Sequence, residues 1–270
     1  MFDLHIHSRN SHDSNQTLDE ICKQAVKIGL EGIAVCDHAD TWFAEELHTE
    51  EAIRNCIADV KEAQKRYGSE LTVLQGLEMA EYLDDPEIAE KILSVGEFDV
   101  ILGSVHSVRF ETIADSYSRV DFSSMPMEMI DRFLKEYFRH IAEMIEKTDF
   151  DVLSHLTCPL RYINGKYHRN ADIMRHRDAI FSIFGQIIQK DIALEINTSG
   201  FDGDLTKLMP DIHLIQSYQK MGGKRITLAS DAHIPQNIGK GFKETAAVLQ
   251  DIGFEGYCIF RQRSAEFKPF

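Results

Sequence analysis

The chain has 270 residues, 43% of them hydrophobic, so it can bury a sizeable core, and none of its apolar stretches approaches the roughly 20 residues of a membrane-spanning helix. Its formal net charge of −15 sets up a field that repels nucleic-acid phosphates. The length suits an α/β barrel of about 250 residues, and no repeat or Pro/Gly/Ser linker divides it, so residues 1–270 are expected to form one domain.

Strand and helix signals alternate from end to end. A strand over residues 2–7 comes first, with no signal segment ahead of it, which points to a cytoplasmic protein outside any membrane. A helix follows from Thr17, where Thr17 and Glu20 form a capping-box pattern, and Gly29 closes it. Next come a strand over 32–37, an amphipathic helix over 49–66 stopped by Gly68, and a strand over 71–77. A short helix over 85–95 leads into a strand over 100–105. Residues 107–124 read as the longest loop, of a length that suits a lid or a binding loop. Then follow a helix over 126–147, a strand over 151–154, a polar loop over 157–170, and a helix ending near Lys190. The last elements are a strand over 193–197, a helix over 205–221, a strand over 225–230, a helix over 239–252, and 257–260 as a short eighth strand. This alternation implies a parallel sheet. No G-x-G-x-x-G follows the first strand, which favours a closed barrel over a doubly wound sheet.

His5, His7, Asp13, His38, Glu78, His106, His155, Asp231 and His233 all stand at or just beyond strand ends. Histidine is the commonest metal ligand, and carboxylates suit the same borderline cations. The carboxyl ends of barrel strands meet in one region, so ligands far apart in sequence can converge. They outnumber the four that a single zinc needs, which indicates a polynuclear site. His5 and His7 share one strand face, and Asp231 and His233 repeat that spacing. Glu78 is the natural bridge, because a carboxylate has two oxygens for two cations. His12 rivals Asp13 as a ligand, and Asp37 and Asp40 read as groups that orient ligands or cap backbone. His48, His140, His168, His176 and His213 read as solvated, with the loop of His168 able to overhang the site. Arg161 and Arg109, shortly after His155 and His106, are candidates to grip a phosphate. Cys22, Cys36, Cys56, Cys158 and Cys258 lack C-x-x-C spacing and read as reduced thiols, with Cys36 and Cys258 in the core.

The motifs H-x-H, CDH, GLE, GSVHS, LSH and SDAH, in this order, resemble the PHP superfamily, named for polymerase and histidinol phosphatase. The resemblance covers essentially the whole chain. GSVHS, EINTSG and the long segment after the fourth strand look most like the monofunctional histidinol-phosphate phosphatases of that group. It implies a distorted (β/α)₇ TIM-like barrel with three divalent metal ions, zinc, manganese or iron, at its carboxyl-terminal mouth. Carried over, His5, His7, Glu78 and Asp231 would hold the first metal, and Glu78, His106 and His155 the second. Asp13, His38 and His233 would hold the third, with Asp13 standing where some relatives place a histidine. Asp202 follows Phe201, where some phosphatases of the group place an arginine.

The implied activity is hydrolysis of a small phosphate monoester, histidinol phosphate to histidinol, in histidine biosynthesis. A metal-bridging hydroxide would attack, with Glu78, Asp231 and His233 as the catalytic residues. Glu81, Asp115 or Asp202 would meet a substrate amine by charge. Alternatives are another small-molecule phosphoesterase, a nucleic-acid phosphodiesterase, and a metal-stabilised scaffold without turnover. The negative charge and the lack of basic clusters weigh against a nuclease. The surplus of ligands weighs against a scaffold.

Overall fold

The computed structural model describes residues 1–111 and 113–270. The first half runs β1 (Phe2–Ile6), α1 (Leu18–Lys27), β2 (Gly32–Val35), β3 (His38–Asp40), α2 (Thr49–Tyr67), β4 (Thr72–Ala80), α3 (Pro86–Leu93) and β5 (Val100–Ser104). The second half runs β6 (Ser107–Phe110), β7 (Ile113–Ser116), α4 (Met127–Lys147), β8 (Val152–Leu153), α5 (Arg177–Gln189), β9 (Ala193–Asn197), α6 (Ile212–Lys220), β10 (Ile226–Ala229), α7 (Phe242–Ile252), β11 (Gly256–Arg261) and β12 (Ser264–Pro269).

Parallel pairing follows the order β1-β2-β4-β5-β8-β9-β10, with the short β3 also paired to β4. The two ends of this sheet meet at a bridge between Ile6 and Ala232. There the His7 N–H donates to Ala232 O at 3.1 Å, and the Asp231 N–H donates to His5 O at 2.8 Å. Asp3 ties the same seam from one layer below. Its carboxylate accepts the Ser230 N–H at 2.9 Å, the Ser230 hydroxyl, and the Gly239 N–H at 2.9 Å. The outcome is the expected α/β architecture, a nearly closed parallel barrel of seven strands with flanking helices.

Local chemistry explains the helices. The Thr17 hydroxyl accepts the Glu20 N–H, and Glu20 accepts the Thr17 N–H at 2.8 Å, so the capping box read from sequence is made. Leu18, Ile21, Cys22 and Ala25 then form a buried stripe at helical spacing, which lays α1 on the sheet. The barrel strands are buried on both faces, as parallel strands under a helical layer must be. All five cysteines are free and buried, including Cys36 and Cys258. Among the described residues no helix is long and apolar enough to cross a membrane.

Four segments differ from the sequence reading. Within 107–124, β6 and β7 pair as an antiparallel hairpin, Ser107 opposite Ser116 and Phe110 opposite Ile113. Residue 112, in the segment read as loop, lies outside the described residues. The polar loop at 157–170 contains a wide helical turn, Arg161–Lys166. The helix expected over 205–221 is broken. A short turn at Leu205–Lys207 precedes Pro210, which cannot continue a helix, and α6 begins only after Asp211 caps the His213 and Leu214 N–H groups. Residues 257–260 are strand but not a barrel strand. β11 pairs antiparallel with β12, and their turn covers the amino-terminal ends of β5 and β8. There the Arg263 N–H donates to Asp99 O at 2.8 Å, and Arg263 Nε donates to Asp151 at 2.9 Å.

Candidate metal centre

At the opposite, carboxyl-terminal mouth, Glu78 occupies the middle. It points inward from β4 with no solvent exposure, and its two oxygens face different imidazoles. Oε2 lies 2.8 Å from His38 Nδ1, 3.3 Å from His5 Nε2 and 3.6 Å from His7 Nε2. Oε1 lies 2.8 Å from His155 Nε2 and 3.1 Å from His106 Nε2, and accepts the Ser104 hydroxyl at 2.7 Å. Asp231 Oδ1 is 3.1 Å from His7 Nε2 and 3.9 Å from His5 Nε2. Its backbone φ of 51° is rare for a residue with a side chain, a strain often found where a functional group must be aimed. Asp13 Oδ2 lies 3.1 Å from His233 Nε2 and 3.5 Å from His38 Nε2.

The structure therefore brings together every residue proposed as a metal ligand. Three of its clusters that could hold an ion are His5/His7/Asp231, His7/His38/His233 and Glu78/His106/His155. The Asp13 carboxylate is the group within ion-pair distance of both His38 and His233, and the His12 ring packs 5.1 Å from that of His38 in the same cleft. Asp40 has a double position. It joins His38 and His106 in a fourth cluster, and its Oδ1 accepts from His106 Nδ1 at 2.7 Å. Asp37 binds the Ser8 N–H and the Ser8 and Ser11 hydroxyls, shaping the turn behind His7.

The donor set suits cations. Glu78 Oε2 and His38 Nδ1 are both buried, only 2.8 Å apart, and neither makes a hydrogen bond of acceptable geometry. Nε2 atoms of His5 and His7 meet at 3.0 Å. Lone pairs crowded in this way are explained by a shared ion. Electrostatics agree. Burial works against the charge on Glu78, but His106, His5 and His38 outweigh it and hold the carboxyl well below its usual range. Asp231 is also lowered against burial, by His5 and His7. Burial disfavours the His5 imidazolium, yet Glu195, Glu78 and Asp231 push its pKa well above the usual value. His7 goes the other way, down to about 3, through burial and the neighbouring His233 and His38.

A cleft opens over this centre, lined beyond the ligands by Phe43, Tyr117, Arg119, Cys158, Arg161 and Tyr162. Arg161 is where the sequence placed it, and Nη1 donates to the Ser199 hydroxyl at 3.2 Å. Arg109 is not at the mouth. The hairpin carries it two residues past Ser107, roughly 7 Å along the strand, and its guanidinium lies 4.6 Å over the Trp42 ring. The returning strand brings Arg119 to the cleft instead. None of the carboxylates proposed to meet an amine lines the cleft. Glu81 is buried under the Ser107 N–H, Asp115 lies 3.6 Å from Arg119, and Asp202 pairs with Lys207. His48, His168 and His213 are exposed, as read. His176 and His140 are not solvated, with side chains only 10% and 18% exposed beside Asp131 and Glu136. Their helices pack those faces inward.

Sequence reasoning passed over Glu195. Its Oε2 accepts from His5 Nδ1 at 2.8 Å, and its Oε1 accepts the His155 N–H at 2.9 Å. The available signal was a charged residue inside the apolar strand ALEIN.

Residues 3–199 match the PHP domain. The chain belongs to the PHP family. It is 28% identical to a probable histidinol-phosphatase of Thermotoga maritima over 94% of each chain. It is 25% identical to the histidinol-phosphatase of Lactococcus lactis, over 96% of this chain and 93% of that one. The fold superposes on a crystal structure of the Lactococcus lactis histidinol phosphate phosphatase, complexed with zinc, L-histidinol and phosphate, with a TM-score of 0.78, 22% identity and 98% coverage of both chains. Family membership together with these clusters makes the chain a metal-dependent hydrolase of the PHP type, with residues fit to hold several ions.

Proposed function

We propose that this PHP protein is a phosphatase for small phosphate monoesters, that histidinol phosphate is its substrate, and that it works with three divalent ions at the barrel mouth. The observation that carries this reading is Glu78, whose two oxygens address two separate sets of imidazoles. The names and coverage of the PHP relatives support the choice of substrate. His5, His7, Glu78 and Asp231 would hold one ion, Glu78, His106 and His155 the second, and Asp13, His38 and His233 the third. Zinc, manganese and iron all accept such mixed shells. Bound divalent ions lower the pKa of water toward neutrality and neutralise phosphoryl oxygens.

The chain's own groups do the rest. Arg161 and Arg119 present guanidinium donors at the cleft wall, a match for phosphate oxygens. Asp231, held ionised and half-strained at the seam, stands beside His7 and His233, where it can take or return a proton at Oδ1. Tyr117 and Tyr162, with ring centroids 5.6 Å apart, form an aromatic wall for the leaving alcohol. No serine or cysteine nucleophile is required, and burial raises the Cys158 thiol to about 11, so it is a poor one.

A second reading, another small phosphate ester, is favoured by one observation. Of the carboxylates lining the cleft, Asp40 and Asp231 belong to the clusters that could hold an ion and Asp13 is engaged with His38 and His233, which leaves none among the described lining residues for a substrate amine. Steady-state phosphate release from histidinol phosphate and a panel of other monoesters decides between them. A strong preference in kcat/KM for histidinol phosphate supports the first. Better turnover of other monoesters replaces it with the second.

A further inference from the structure

The end of β9 brings no proposed ligand to the mouth, whereas β1, β4 and the segments just after β2, β5, β8 and β10 each bring at least one. What β9 supplies is Glu195, 1% exposed. We propose that Glu195 is a positioning residue that sets His5, His155 and Asp231 together from behind the metal centre. This inference rests on the reading of those three as ligands.

The hydrogen bonds are specific. Oε2 accepts from His5 Nδ1 at 2.8 Å, which fixes the ring tautomer and leaves Nε2 free to face Glu78 and His7. Oε1 accepts the His155 backbone N–H at 2.9 Å and Asn197 Nδ2 at 2.8 Å. The same Asn197 Nδ2 reaches Asp231 Oδ2 at 3.4 Å. One carboxylate thus links three ligands from three separate strands. Its surroundings separate it from a carboxylate that merely supports the fold. Asp3 and Asp37 are also buried, but their partners are serine hydroxyls and backbone N–H groups. Among the described residues no lysine or arginine pairs with Glu195, and His5 is its one ionisable partner. Its charge is therefore balanced through a ligand imidazole, and the balance improves when a cation draws electron density from the other nitrogen of that ring.

Glu195→Gln keeps the shape but cannot accept at both of its ends, because one terminus is now an NH₂ donor. Zinc affinity and zinc per chain are measured by chelator competition and elemental analysis, beside a thermal melt and phosphate release. The expected result is a folded variant whose zinc affinity falls by roughly 10–100-fold. Asn197→Ala, which frees one partner of Oε1, is expected to lower it by a smaller factor, and serves alone if the first variant does not fold. In a His5→Ala background the Glu195→Gln effect is expected to shrink. Unchanged zinc affinity in either folded variant, even with a lower melting temperature, overturns the proposal and leaves Glu195 a structural residue. Phosphate release by the wild type is a separate arm. Zinc binding without ester turnover would remove the phosphatase reading and leave the positioning role intact.

Discussion

Replacing Glu78 with glutamine keeps the side-chain shape and removes one charge and one ligand oxygen. The remaining carbonyl oxygen can serve His38, His5 and His7, or His106 and His155, but not both sets. The new amide would stand where an oxygen now lies 2.8 Å from an imidazole nitrogen on either side, and would donate to the lone pair that an ion needs. Removing one partner from a buried charged cluster costs about 3–5 kcal/mol. Taken as lost affinity of the centre for its ions, at about 1.4 kcal/mol per tenfold, that corresponds to roughly 10²–10⁴-fold weaker metal binding, and kcat/KM for phosphate release is expected to fall with the loaded fraction. The assay pairs steady-state kinetics on histidinol phosphate with metal analysis, and fewer ions per chain are expected. Ser104→Ala is the control, since it removes a neutral hydroxyl that bonds Oε1 and the Ser154 hydroxyl but no charge and no proposed ligand, and should cost far less. A Glu78→Gln protein with a full metal complement and wild-type turnover would refute the bridging argument.

Arg161→Ala is expected to raise KM for monoesters by roughly 10–100-fold, with a smaller fall in kcat, because a charge-assisted phosphate contact is lost; an unchanged KM would move the grip to Arg119. The metal-free centre should titrate in a definite direction. Burial opposes charge on His5, His38 and His106, but Glu78 and its neighbours raise all three, so the stability of these pairs is full below about pH 6.5 and is lost as pH rises through the raised values. Cation binding must expel those protons, so zinc affinity should rise with pH and calorimetry in buffers of different ionisation heat should detect released protons; binding with no proton release would contradict the pairing. Away from the site, Thr17→Ala should lower stability by about 1 kcal/mol in urea titrations and leave kcat/KM unchanged, since it removes the hydroxyl that accepts the Glu20 N–H and leaves only the backbone arm of the α1 capping box.

Much of this protein was legible in its sequence because the relevant signals are local. Leu18, Ile21, Cys22 and Ala25 announce a helix by spacing, and Thr17 with Glu20 announces its start. The H-x-H pair shares a face because strand side chains alternate, whatever the rest of the fold does. The order of strand and helix signals leads to a parallel barrel, and a barrel gathers strand ends. Those steps suffice to bring His5 and His233 together across nearly the whole chain.

Other features depend on which strands become neighbours, and spacing along the chain carries no record of that. Arg109 reads as a candidate from its place just after His106, and Arg119 is not singled out. The pairing of β6 with β7 sends the first outward over Trp42 and returns the second to the cleft. His176 reads as polar surface until α4 places Asp131 beside it. Asp40 gains its partner only when β5 delivers His106. Glu195 is a lone charge in an apolar strand until closure of the barrel sets β1 and the end of β8 against its two oxygens. The residue types that can hold and use a cation were determined by the sequence alone. Which oxygen faces which nitrogen was decided by the tertiary structure, because a hydrogen bond or a coordination shell is set by distances of about 3 Å between atoms that the chain separates by dozens of residues.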